Sequence, residues 1–252
     1  LALKREMAKN PSIYLYGEDV DDPKGGVFGV TKGLSKAYPG RVKNSPLAVR
    51  VAPFALFLLL TAGQGIFGEA SRYWMYCAKT CVGAWMIWVI RPFIAELRWN
   101  LSWEAVFVGV GVCVLWIGLD PFYRKFMPAG TPWNPHVQFG QQSAVAWLVI
   151  ALRILGSTLV VPPLEEVFFR SFVYRYLAKL EFLSVSLGQF LWIPFLVAST
   201  IFGVNHREWL AGILCGFAYQ GLVIWKGRLG AAITAHAITY SLLGMWVGGK
   251  GE

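Results

Sequence analysis

Long runs of apolar residues, separated by short polar connections, fill the chain from about residue 50 onward. Each run is close to the ~20 residues that an α-helix needs to cross a bilayer. The runs cover residues 51–68, 73–90, 101–119, 144–161, 164–180, 183–202, 209–225 and 229–247. This pattern predicts an all-α, polytopic transmembrane bundle of seven or eight helices. The number depends on whether 164–180 crosses the membrane as a helix of its own.

The composition agrees with an integral membrane protein. Charged residues make up 15% of the 252 residues, whereas soluble domains carry about 25%, and the mean hydropathy is +0.51. The net charge of +9 comes without a basic stripe or an RNA-binding signature, so we expect membrane lipid and no nucleic acid as a partner. Basic residues flank the apolar runs. Counted alternately they fall on one side, which predicts a cytoplasmic N-terminus.

Residues 1–47 differ from the rest, because they are polar and punctuated by glycine and proline. We predict a mostly irregular, non-membrane segment here and a transmembrane domain over residues 48–252. The stretches "YLYGEDVDDPKGGVFGVTKGL" and "PGRVKNSPLA" resemble the start of the E1 β subunit of 2-oxo acid dehydrogenases, which binds thiamine diphosphate. In that family a glutamate that contacts the thiamine ring follows "NSPLA", and Val49 stands there instead. We interpret the segment as a fusion remnant or assembly artefact and expect no thiamine diphosphate.

Three charges interrupt the apolar pattern in "PPLEEVFFRSF", residues 162–172. Ionisable residues within membrane helices are costly and usually functional. Glu166 and Arg170 are four residues apart and can pair on one helical face, which leaves Glu165 without a local partner. We predict a helix break at Pro163 that puts both glutamates in a first turn. A carboxylate there suits a general base, and the alternative is an interfacial salt bridge that closes a cytoplasmic loop.

Two histidines lie on other predicted helices. His206 follows Phe202 by one helical turn in "FGVNHREW", and His236 lies in the middle of "LGAAITAHAITYSLLG". Taken singly, the first fits a solvated interfacial residue and the second a core histidine bonded to a neighbouring helix. If both meet the glutamates, they assemble a base, a second proton carrier and an electrophile site. That set of groups can activate water against a carbonyl.

The three motifs, EExxxR, FxxxH and an intramembrane histidine in a final span, together resemble the CAAX prenyl protease and bacteriocin-processing (CPBP) family. This family is also called the CAAX protease self-immunity family. The resemblance covers about residues 49–247 and is closest to a bacterial CAAX prenyl protease-related branch. The resemblance implies an intramembrane endopeptidase of the bacterial inner membrane. Its substrate would be a membrane-anchored protein or peptide, with a prenyl group as one form of anchor.

The resemblance also implies roles for individual residues. Glu165 corresponds to the base that activates water, and His206 to its partner. Glu166 and Arg170 correspond to a supporting pair. Phe202 corresponds to the first position of the FxxxH motif. His236 corresponds to the stabiliser of the oxyanion.

One position departs from the family. The third motif is HxxxN or similar, and here His236 is followed by Tyr240. A tyrosine hydroxyl can donate a hydrogen bond from a shifted position, or the ring can simply pack. A non-catalytic scaffold or immunity protein of the same fold is therefore the main alternative function.

Two further alternatives concern metal and transport. Glu165, His206 and His236 could hold zinc with one open position, but the sequence has no HExxH helix, and we favour a metal-free mechanism without a cofactor. Buried Glu and His residues could also relay protons in a proton-coupled transporter. Against this function, the chain lacks a repeated pair of helices broken by Gly or Pro.

Overall fold

The computed structural model describes residues 2–17, 20–23, 25–26, 29–64, 66–126 and 133–249. Most of these residues are helical. The helices are α1 Ala2–Lys9, α2 Leu34–Ala37, α3 Ala48–Ala62, α4 Ser71–Ile90, α5 Trp103–Leu119, α6 Pro135–Phe139, α7 Ala144–Leu155, α8 Val161–Glu166, α9 Tyr174–Ala178, α10 Trp192–Val204, α11 Trp209–Lys226 and α12 Leu229–Gly249. Two short strands, β1 Leu15–Gly17 and β2 Val42–Asn44, pair in parallel near the N-terminus.

The described helices include three that are long and apolar enough to cross a membrane, judged by length and composition. They are Trp103–Phe122, Ala144–Ala178 and Trp209–Lys226, and the shorter apolar helices are Ala48–Ala62 and Trp192–Val204. The chain is thus an all-α integral membrane protein, as predicted. The predicted count of seven or eight spans is not confirmed, in part because 144–161 and 164–180 form one helix.

This long helix, Ala144–Ala178, runs without a break through two prolines. The predicted break at Pro163, and with it the placement of the glutamates in a first turn, is therefore wrong. A π-helical segment, Gly156–Val160, lies directly upstream of the prolines. Local changes of helix type can satisfy backbone groups that a proline would leave unpaired, so a membrane helix can continue past it.

The described part of the N-terminal segment contains the short helices α1 and α2 and the strand pair β1 and β2, between irregular stretches. Met7, Leu34 and Val42 are buried in a small apolar cluster of their own, separate from the cluster of the helical bundle. The Asp22 carboxylate accepts a hydrogen bond from the backbone N–H of Gly33 at 2.8 Å. Turn-forming side chains and a few apolar positions therefore order this polar stretch, although its composition suggested loops.

Glycines let the helices of the bundle approach closely. A Cβ atom added at Gly109 of α5 would lie 2.6 Å from the backbone oxygen of Ala235 on α12. One added at Gly203 of α10 would lie 2.3 Å from the backbone nitrogen of Ile213 on α11. Small residues at contact points are how membrane helices pack, because lipid offers no hydrophobic drive between them. The first contact positions α12, which carries His236. The second positions α10, which ends just before His206.

We predict that Gly109→Ala destabilises the bundle, because the new methyl group collides with the backbone of α12. Overpacking of this kind costs about 1–3 kcal/mol, measurable as a lower thermal unfolding midpoint in detergent. The control is Gly111→Ala on the same helix, where an added Cβ meets nothing within 4 Å. Equal midpoints for the two variants would contradict the close packing of α5 on α12.

Candidate active site

The long helix carries two adjacent glutamates between its two π-helical segments. Glu165 and Glu166 end α8, and the second π-helical segment, Val167–Val173, follows them. The Glu166 side chain is fully buried, whereas that of Glu165 is 13% exposed. Burial of Glu166 excludes the solvated loop salt bridge considered above, and the remaining exposure makes Glu165 the carboxylate that solvent can reach.

His236 on α12 lies between the two carboxylates. Its Nδ1 is 2.9 Å from Glu166 Oε1, a hydrogen-bond distance. Its Nε2 is 3.8 Å from Glu165 Oε2, which is too long for a direct hydrogen bond. Glu165 Oε2 is buried and has no hydrogen-bond partner among the described residues. One nitrogen of the imidazole ring, Nδ1, is thus bonded to Glu166. The other nitrogen, Nε2, is directed at a carboxylate oxygen of Glu165 that has no hydrogen-bond partner among the described residues.

Arg170 holds the second oxygen of the buried glutamate. Its Nε lies 3.2 Å from Glu166 Oε2, so the ion pair expected from their spacing is present. The guanidinium group also lies 4.1 Å from the centre of the Phe202 ring. An ion pair and an aromatic face together offset part of the cost of burying both charges. The supporting pair therefore joins the long helix to α10 as well as to α12.

His206 lies one aromatic ring away from this group. Its Nδ1 donates to the backbone oxygen of Phe202 at 2.9 Å, and its ring contacts those of Phe202 and Trp116, with centroids 4.9 and 5.6 Å apart. Phe202 in turn contacts the His236 ring, with centroids 5.9 Å apart. Glu165 and His236 are thus brought together, while the contacts of His206 run through Phe202 and not directly to either of them.

Tyr240, the position that departs from the family pattern, packs against His236. The two ring centroids are 4.7 Å apart and the ring planes are tilted by 35°. Because His and Tyr are four residues apart on α12, they share one helical face. The ring therefore covers His236, as one of the two interpretations of this residue predicts.

Sequence reasoning missed Tyr219 on α11. Its fully buried ring contacts His236 at 4.9 Å between centroids. Its hydroxyl donates to Thr239 Oγ1 at 2.7 Å, and Thr239 donates to the backbone oxygen of Gly109 at 2.8 Å. These bonds connect α11, α12 and α5 behind the imidazole. A single tyrosine in an apolar run gives no signal of this role, because it equally well packs at an interface.

A zinc site at the predicted residues needs Glu165, His206 and His236 to converge. The part of the chain that the structure describes has no group of three or more His, Cys, Asp or Glu side chains arranged to hold a metal ion. The Nδ1 atoms of both histidines are bonded within the protein, to Glu166 and to the Phe202 backbone, which leaves Nε2 of each ring as its free nitrogen. The contacts bring Glu165 and His236 together but do not bring His206 to them, so the described side chains do not form the three-ligand set.

The fold and these contacts define a class: a helical membrane protein with a Glu, Glu, His and Arg cluster buried between its helices. Residues 146–242 match the family model described as type II CAAX prenyl endopeptidase Rce1-like. All three motifs lie inside this stretch, and the match confirms the resemblance to the CAAX protease family over these residues. At the level of the family, the match supports a protease-type membrane enzyme. No solved structure gives a significant match to the chain.

We predict that Arg170→Met is strongly destabilising, because it leaves Glu166 buried without its cation. Removing one partner of a buried ion pair costs roughly 3–5 kcal/mol. The control is Glu208→Gln, which breaks a partly exposed pair with Arg207 at 3.6 Å and should cost about 0–1 kcal/mol. Equal losses in the free energy of unfolding for both variants would argue against a buried charge cluster in the site.

Proposed function

We propose that this protein is an intramembrane endopeptidase in which Glu165 activates the attacking water. The observation that carries the proposal is the position of Glu165 Oε2, a buried oxygen without a hydrogen-bond partner among the described residues, 3.8 Å from Nε2 of His236. It lies within the residues that match the family model. A base and a donor that face the same small space are the minimum that hydrolysis of an amide requires.

Glu165 acts first. It takes a proton from a water molecule, and the resulting hydroxide attacks the carbonyl carbon of the scissile peptide bond. When the tetrahedral intermediate collapses, the C–N bond breaks and Glu165 returns its proton to the leaving amine. The partial exposure of the Glu165 side chain supports this role, because a general base must be reached by the water molecule that it deprotonates.

His236 stabilises the negative oxygen of the intermediate. The contact of Nδ1 with Glu166 Oε1 at 2.9 Å assigns a proton to Nδ1, because an ionised carboxylate only accepts hydrogen bonds. Nε2 then faces the reacting group and, in the doubly protonated ring, donates to the developing oxyanion. Glu166 and Arg170 are positioning residues in this scheme, since they hold the ring and do not touch the substrate.

His206 is the second proton carrier at the edge of the site. Its Nδ1 donates to the Phe202 backbone, so Nε2 is the nitrogen available for exchange with Glu165. In the structure, the contacts of His206 with the glutamate and histidine cluster run through the Phe202 ring. Catalytic hydrogen bonds are often long before substrate binds and tighten only in the complex, and Phe202 is the ring that separates His206 from His236.

The substrate class follows from where the cluster lies. The glutamates are in the interior of a 35-residue helix that is long and apolar enough to cross a membrane, which supports a substrate that is itself held at the membrane. A protein or peptide with a lipid anchor, prenyl among them, meets this condition. Residues 1–47 take no part in the chemistry, and we assign them no thiamine diphosphate.

We predict that Glu165→Gln removes most of the activity, because an amide cannot accept the proton of water. Loss of a general base lowers kcat by about 10²–10⁴-fold, and His206→Ala should lower it by less. The measurement is cleavage of an internally quenched, farnesylated peptide by the purified protein in lipid nanodiscs. Glu181→Gln, at an exposed glutamate, is the matched control. A Glu165→Gln variant that keeps the native rate would end the proposal.

The alternative function, a non-catalytic scaffold, is favoured by Tyr240, whose ring covers His236 in place of an amide donor. Asparagine at this position would restore the family's donor beside the oxyanion. If the native protein is silent and Tyr240→Asn cleaves the same quenched peptide, the scaffold interpretation holds. Cleavage by the native protein excludes it.

A further inference from the structure

A second cluster of buried charges ties the connection between α4 and α5 to the end of the long helix. Glu96, in that connection, accepts three hydrogen bonds at Oε1. They come from Arg50 Nη2 at 2.7 Å, Arg175 Nη2 at 2.7 Å and Ser171 Oγ at 2.6 Å. Ser171 and Arg175 belong to the long helix, and Arg50 to α3. One carboxylate oxygen therefore joins three separate parts of the bundle.

Glu96 is the charge on which this cluster depends. Both arginines are buried, Arg50 to 3% and Arg175 to 5% exposure, and within the described part of the chain Glu96 is the carboxylate paired with them. Burial alone would raise the pKa of Glu96, but the charge of Arg50 and the hydrogen bonds from Ser171 and Arg50 lower this pKa to about 2. Glu96 is thus a carboxylate near neutral pH.

The long helix needs such an anchor because it is irregular near the glutamates. π-helical segments lie on both sides of α8, at Gly156–Val160 and Val167–Val173. Such segments often occur at functional sites, and they are the points where a helix bends or shifts its register. The axial position of Glu165 therefore depends on what holds the helix at and beyond these two segments.

The anchors differ at the two sides. Upstream, Gly156 packs against α4, where an added Cβ would lie 2.7 Å from Thr80 Oγ1, and the Tyr76 hydroxyl of α4 donates to the Arg153 backbone oxygen at 3.1 Å. Downstream, Ser171 lies inside the second π-helical segment and is bonded to Glu96. Ser171 follows Glu166 by five residues, which is about 7 Å along a helix. Arg175 adds a second attachment one turn further on, through Nη2 to Glu96 Oε1 at 2.7 Å, while its Nε donates to the Ser171 backbone oxygen within the same helix.

We infer that Glu96 is a positioning residue of the proposed hydrolysis: it fixes the downstream half of the long helix so that Glu165 stays opposite His236. This inference rests on the proposed function. Without Glu96, the two buried guanidinium groups repel each other and Ser171 loses its acceptor. The second π-helical segment then relaxes, and the carboxylate of Glu165 moves relative to a ring that α12 holds in place.

The kinetic test compares three variants in nanodiscs with the quenched farnesylated peptide. Glu96→Ala should lower kcat about 10- to 100-fold per folded molecule, because small misplacements of catalytic groups have effects of this size, with KM changed by about twofold at most. Glu96→Asp keeps the charge and should recover part of the loss. The matched control is Glu104→Gln, which breaks another ion pair between helices, Glu104 with Lys226 at 2.9 Å, and should leave kcat unchanged.

A structural test is independent of activity. In hydrogen exchange, Glu96→Ala should speed exchange of backbone amides in peptides that cover residues 164–178, whereas Glu104→Gln should not. Native kcat in Glu96→Ala, or unchanged exchange over 164–178 in that variant, would overturn the inference. If the native protein cleaves nothing while exchange responds as expected, the proposed function fails and the anchoring role of Glu96 stands.

Discussion

The buried contact of Glu166 with His236 and Arg170 is the interaction on which the site depends. A carboxylate without exposure to solvent is stable inside a membrane protein only when each oxygen has a partner of opposite or complementary charge. Here Oε1 faces Nδ1 of His236 and Oε2 faces Nε of Arg170. Because the three residues come from two helices, satisfying this one carboxylate places α12 against the long helix. The same placement leaves Nε2 of His236 directed at Glu165.

The rest of the bundle holds the helices that make this contact in place. Gly109 lets α12 approach α5, and Tyr219 and Thr239 bond these helices to α11 behind the histidine. The long helix can continue past two prolines because it widens into π-helical turns. Those turns free backbone groups and make the helix deformable. The Glu96 cluster bonds the helix at Ser171, inside the second π-helical segment, and at Arg175, beyond it.

The charged cluster could be predicted from the sequence, but the hydrogen bonds and ion pairs within it could not. Glu165, Glu166, Arg170 and His236 stand out because charge in an apolar run is costly, and the i, i+4 spacing predicts the Glu166 to Arg170 pair. The pattern cannot tell which glutamate bonds His236, since that depends on the crossing of two helices. Nor can it show that the chain stays helical through Pro163, because local proline rules predict a break and tertiary packing decides otherwise.

The most direct test of the account is an experimental structure of the chain in lipid, at a resolution that shows water molecules beside Glu165 and His236. We expect Nδ1 of His236 to bond Glu166, and one water to contact both Glu165 Oε2 and His236 Nε2. An imidazole turned away from both carboxylates, toward lipid or another helix, would contradict it.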